Sequence, residues 1–151
     1  MVRSLRSFLT VLVFAVAATS SFGFDASRLA DAVRKADVVE VDHFDGRKIQ
    51  VIRVTDAAWQ ERLAQTLNHG DYRRQPDCLC NAPQVRLLRE GKILATFSVH
   101  HGKMVRVCIG SGLTHDYQVG EEVGGALEKR LAEKLPPPAA ASGRDSQPQG
   151  S

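Results

Sequence analysis

Between Gln84 and Ile109 three runs rich in aliphatic and β-branched residues, QVRLLR, KILATFSV and KMVRVCI, are separated only by the short breaks REG and HHG. Connections this short can join only antiparallel neighbours, because a parallel crossover needs about a dozen residues or more. The stretch therefore dictates three meandering strands. A third break of the same kind, FDG, divides VVEVDHF from RKIQVIRV and adds a two-stranded hairpin. If each glycine takes the left-handed position of a three-residue loop, the register follows by counting outward. Val41 then faces Ile49 and Val39 faces Val51. Leu87 faces Ile93, and Val85 faces Ala95. Phe97 faces Val105, and Ala95 faces Val107. Every pair is apolar, which puts Val85, Leu87, Ile93, Ala95, Phe97, Val105 and Val107 on one buried face. A two-residue loop at HHG would instead set Phe97 against Arg106.

Helical patterns frame these strands. DASRLADAVRKAD places Leu29, Ala30, Val33 and Ala36 on one face, with Asp25 or Ser27 as the cap. TDAAWQERLAQTLNHG spaces Trp59, Leu63 and Leu67 by four, takes Thr55 as its N-cap and stops at Gly70. VGEEVGGALEKRLAEKL makes a last helix, weakened by Gly124 and Gly125. DYRRQPDCLCNAP and GSGLTHDYQVG read as loops. The order α-ββ-α-βββ-α predicts an α+β domain: an antiparallel five-stranded meander sheet with the helices on one face.

The ends are of a different character. Arg3 and Arg6 precede an apolar run from Phe8 to Ala18, and small residues follow at Ser20, Ser21 and Gly23. This is the pattern of a secretory signal peptide over 1–23, and the run is shorter than the ~20 apolar residues that span a bilayer. The expectation is an exported bacterial protein, periplasmic or secreted, with no stable membrane span after cleavage. From Pro136 to Ser151 the chain holds four of its six prolines and no large apolar residue, the composition of a disordered tail. One α+β domain over 24–135 remains. Without Arg3 and Arg6 the balance falls to 18 basic against 17 acidic residues, a net of +1. Nucleic-acid binders carry a basic stripe, so nucleic acid is not an expected partner. Another envelope or secreted protein is.

Chemistry concentrates in two short motifs, C-x-C at Cys78 and Cys80 and H-H-G at His100, His101 and Gly102. Extending the REG register past the strand start sets Cys80 beside His100 and Cys78 near Gly102, within the ~5 Å of cross-strand neighbours. Pro83 cannot donate to a ladder and is the point where such pairing would stop. Cys108 lies opposite Leu94 in this register, too far along the strand for a disulfide to the other two. Three readings of the pair compete. Two thiolates with His100 and His101 supply a soft four-ligand set suited to zinc or copper. A Cys78–Cys80 disulfide suits an oxidising compartment and makes a thiol-redox site. The third is a local structural crosslink or buried thiols beside solvent-exposed histidines. A cysteine nucleophile activated by His100 needs the same adjacency and lacks an identifiable third, orienting residue.

The run from CLC through GKILATFSVHHGKMVR resembles a pattern, C-x-C followed by H-H-G-x-x-x-R, found in small bacterial proteins whose activity is not known. The resemblance covers about a fifth of the chain and implies that Cys78, Cys80, His100, His101, Gly102 and Arg106 belong together. His43, His69, His115 and Asp116 are weaker candidates at strand or helix ends and in a Gly-rich loop, and no metalloprotease, nucleophile-elbow or phosphate-loop motif occurs. The functional expectation is a small non-catalytic exported domain with a Cys/His metal or thiol site at one end of the sheet. The alternative is a protein-binding or inhibitor-like module using the polar sheet face of Lys48, Gln50, Arg86, Thr96, Ser98 and Arg106.

Overall fold

The computed structural model describes residues 24–137. The expected signal peptide and all but the first two residues of the expected tail lie outside the described residues. The chain runs α1 (Ala26–Lys35), β1 (Val38–Phe44), β2 (Ile49–Val54), α2 (Ala57–Asn68), β3 (Arg73–Gln75), β4 (Val85–Arg89), β5 (Lys92–His100), β6 (Met104–Ile109), β7 (His115–Gln118) and α3 (Glu121–Ala132). The α+β class is as expected, but the sheet has seven antiparallel strands rather than five, in the order β2-β1-β4-β5-β6-β7-β3. The two additional strands, β3 and β7, pair with each other through Arg74 and Tyr117. They come from the two stretches expected to be loops. Three and four residues are too short to show a period, and Pro76 and the GSG run mask their ends.

The helices form because their ends are capped and their apolar faces have a sheet to cover. Asp25 caps α1 by accepting from Ser27 N at 3.0 Å. Asp56, not Thr55, caps α2, accepting from Trp59 N at 2.9 Å; aspartate is the better N-cap of the two. Leu29, Val33, Trp59, Leu63, Leu67 and Leu127 are wholly buried against the sheet face of Val39, Val41, Val85, Leu87, Ala95, Phe97, Val105 and Val107. Trp59 Nε1 donates to Arg130 O at 3.0 Å, tying α2 to α3. Among the described residues no helix is long and apolar enough to cross a membrane.

All three expected registers shift, with different consequences. At REG the turn is two residues, Glu90 and Gly91, both at positive φ, the form that matches strand twist. A bulge between Leu87 and Leu88 then leaves Leu87 opposite Ala95 and Val85 opposite Phe97. At HHG the loop is His101–Lys103, so Val99 faces Val105 and Phe97 faces Val107. Both are shifts of two residues, which preserve the face, so the expected buried set holds apart from Ile93, which the bulge leaves exposed. At FDG the shift is three. Val39 faces Val54 and Val41 faces Ile52. Asp45 explains it: its Oδ1 accepts from Arg47 N and Lys48 N at 2.9 and 3.0 Å, closing a four-residue loop, Asp45–Lys48, in place of the expected three. The odd shift turns Ile49 and Val51 away from the core, where both are exposed.

Candidate functional site

The polar face of the sheet, opposite the helices, carries Ser98 on β5, Arg106 on β6 and Asp116 on β7 in one cross-strand row, with Ser98 opposite Arg106 and Arg106 opposite Asp116. His100 follows Ser98 on the same face at the end of β5. The loop between β3 and β4, which carries Cys78 and Cys80, lies over this row.

Asp116 organises the loop. Its carboxylate is wholly buried and receives the Arg106 guanidinium through both oxygens, from Nε at 2.8 Å and Nη2 at 3.0 Å. Cys78 N donates to its Oδ2 at 2.6 Å. The same guanidinium reaches outward: Nη1 donates to Cys80 O at 3.1 Å and Nη2 to Cys78 O. One arginine thus binds a carboxylate in bidentate fashion and clamps both C-x-C carbonyls, which only a rigid multi-donor fork can do. Arg106 first, and the Cys78 amide after it, hold the Asp116 pKa down at about 2 against the opposing effect of burial. Asp77 adds a further tie, accepting from Asp116 N at 3.2 Å and from Arg74 at 3.0 Å.

Over this anchor the four expected ligands converge. Cys80 Sγ lies 3.2 Å from His100 Nδ1, and Cys78 Sγ lies 3.7 Å from His101 Nε2. One ligand atom from each of Cys78, Cys80, His100 and His101 falls within 4.8 Å of the other three. The two sulfurs are at disulfide distance, on Cα atoms 5.4 Å apart. Cys80 N also points at Cys78 Sγ, 3.2 Å away. The other His100 nitrogen, Nε2, is buried without a hydrogen-bond partner and faces Asp116 Oδ1 at 3.6 Å. Burial lowers the His100 pKa, partly opposed by Asp116, so the ring favours the neutral form that ligates metals.

His101 reaches Cys78 because the turn bends through positive φ at both His101 and Gly102. Helix α3 presses on this turn from behind. A Cβ at Gly124 would sit 2.1 Å from Gly102 O, whereas one at Gly125 would meet nothing. The first glycine permits a close approach, and helix propensity alone misjudges it.

Cys108 stands apart. It pairs with Thr96 rather than Leu94, its thiol turns to Gly112 O at 3.2 Å, and it is the free cysteine. His43, His69 and His115 lie outside the cluster, and His69 Nδ1 contacts Gln65 O at 2.6 Å. Of the expected binding face, Ser98 is buried, Arg86 pairs with Asp42 and Glu40, and Arg106, on β6, holds the cysteine loop. Asp116 is the residue that reading the sequence undervalued. Its signal is the alternation in HDYQV, where Tyr117 and Val119 are buried. That marks a strand and puts Asp116 on the polar face, where its burial under the cysteine loop is what the alternation does not signal.

No protein-family model matches the sequence, and no curated protein or solved structure does either.

Proposed function

We propose that this chain is an exported, non-catalytic domain that holds one zinc or copper ion through Cys78, Cys80, His100 and His101. The observation that carries the reading is the convergence of two sulfurs and two ring nitrogens, all within 4.8 Å. Tetrahedral bonds of about 2.3 Å to sulfur and 2.1 Å to nitrogen set ligand atoms about 3.4–3.8 Å apart; the two sulfur–nitrogen contacts, 3.2 and 3.7 Å, lie near that spacing, while the two sulfurs stand at disulfide distance and bind an ion only once reduced. Thiolate and imidazole together suit zinc and copper(I) rather than calcium or magnesium. The surroundings fit as well. A ligating histidine commonly turns its second nitrogen to a carboxylate, and His100 faces Asp116 in that way. Export rests on the n-region and apolar run at the N-terminus.

The test is metal analysis of the reduced mature protein. The expected result is about one zinc or copper(I) per chain, as a site with four donors implies. Cys80→Ser should abolish uptake. His100→Ala should weaken it more than His101→Ala, because His100 is buried and oriented whereas His101 is exposed. Reduced protein that retains no soft metal would overturn the reading.

A further inference from the structure

We propose that the two site sulfurs also exchange with an external disulfide in a fixed order, Cys78 first and Cys80 second, and that this exchange discharges the metal. The inference rests on the metal reading above and supplies its regulation.

The four ligands form an outer and an inner pair. Cys78 meets His101, which is exposed, while Cys80 meets His100, which is buried with Asp116 behind it. Both cysteines are half-buried, so their partners set the order: an incoming disulfide reaches the exposed Cys78–His101 side before the Cys80–His100 side. The anchoring of the loop does not involve the sulfurs. Arg106 binds the carbonyls of both cysteines, and Asp116 binds the Cys78 amide. Those bonds use backbone atoms alone, so neither the thiolate nor the joined form of the cysteines competes for them. The Cα atoms are 5.4 Å apart, inside the ~4.4–6.8 Å range that a disulfide spans. The clamped backbone thus already holds the joined pair with its anchoring bonds intact, and the sulfurs alone decide whether the ion stays.

The oxidant is a small-molecule disulfide, RSSR, of the kind an oxidising compartment supplies. The Cys78 thiolate attacks one of its sulfurs. A Cys78–SR bond forms, the RS–SR bond breaks, and the first RS⁻ leaves and is protonated by water. The Cys80 thiolate then attacks the Cys78 sulfur, the Cys78–SR bond breaks, and the second RS⁻ leaves. Two electrons pass from the protein dithiolate to RSSR, which becomes two thiols. The ion loses both anionic ligands and keeps two imidazoles. A dithiol reductant runs the sequence backwards.

The experiment loads the reduced protein with zinc, adds oxidised glutathione, and follows zinc with a chromogenic chelator alongside the mass of the protein. Zinc release in step with Cys78–Cys80 closure, reversed by reductant, is the expected result. The order is read on metal-free single variants. Cys80→Ser should accumulate a glutathione adduct at Cys78, and Cys78→Ser should form one at Cys80 about tenfold more slowly, since exchange depends on access. Zinc that stays bound, with both thiols still titratable, overturns the proposal and leaves the metal reading standing. A faster adduct at Cys80 overturns the order. Failure of the reduced protein to take up either zinc or copper(I) sinks the metal reading itself, and the discharge with it.

Discussion

Two arginines on the polar sheet face make the same cross-strand contact with different consequences. Arg86 on β4 lies directly opposite Glu40 on β1, and Arg106 on β6 lies directly opposite Asp116 on β7. The partners of Arg86, Glu40 and Asp42, each keep 18% of their side-chain surface in solvent, whereas Asp116 keeps none. Arg86 bonds only carboxylates. Arg106 also holds the backbone of the cysteine loop. The charge pairing is alike, so burial and the additional backbone contacts separate a solvated ladder from an anchor.

The largest effect should come from breaking the anchor. Arg106→Ala leaves a carboxylate buried without its counter-charge, at a cost of about 3–5 kcal/mol, read as a lowered urea midpoint. Arg106→Lys should recover little of it, because an ammonium cannot serve both carboxylate oxygens and two carbonyls at once. Metal uptake should fall with both variants, since the loop loses the bonds that aim its sulfurs. Equal losses from Arg106→Ala and Arg86→Ala would erase the distinction.

The Arg106 end is also braced by α3, and that can be tested by a pair of glycines. Gly124→Ala drives a methyl into the Gly102 carbonyl, where the nearest atoms are backbone and cannot rotate away. Overpacking of this kind costs about 1–3 kcal/mol, and the displaced turn should weaken metal binding through His101. Gly125→Ala meets open space and should stabilise α3 by up to about 1 kcal/mol through helix propensity. Thermal unfolding with metal titration separates the two.

These contrasts mark the limits of what the sequence makes legible. The helices, the three central strands and the nearness of C-x-C to H-H-G are readable because apolar periodicity and glycine breaks are local signals. Cys80 does lie beside His100, although the register that led there was two residues out. An even slip keeps every side chain on its face, so the inference survived its own error. At Asp45 the slip was odd, and Ile49 and Val51 changed faces. What decided that turn was a carboxylate accepting two amides, which an apolar match does not register. Asp116 reads only as a weak candidate in the sequence because its meaning depends on β3 and β7 closing the sheet, a long-range pairing of two very short strands.

Acid should separate the two arginines in a second way. The Asp116 pKa falls from 3.8 to about 2 in the fold. Because it is depressed, its contribution is fully present above about pH 4 and is lost as pH falls towards 2. The shift corresponds to about 2 kcal/mol. His100 acts in the same sense at higher pH. Burial lowers its pKa, so the unfolded chain takes up the proton more readily and stability declines as pH drops through about 6.5. Urea unfolding between pH 7 and 2 should therefore show two losses, and Arg106→Ala should remove most of the acidic one.

The smallest effect is expected at Arg86, and it sharpens the comparison most. Arg86→Ala removes contacts to Asp42 and to Glu40, the latter at 3.3 Å. Both carboxylates remain partly in water, so neither is stranded when the guanidinium goes. Glu40 also keeps Arg53 within 3.8 Å as a second counter-charge. Partly exposed ion pairs are worth up to about 1 kcal/mol and are screened by salt. The expected loss is below that figure and should shrink further in high salt, with metal uptake unchanged. A larger, salt-independent loss would mean that the β1–β4 pairing, the crossover that joins the first hairpin to the rest of the sheet, depends on this arginine as the cysteine loop depends on the other.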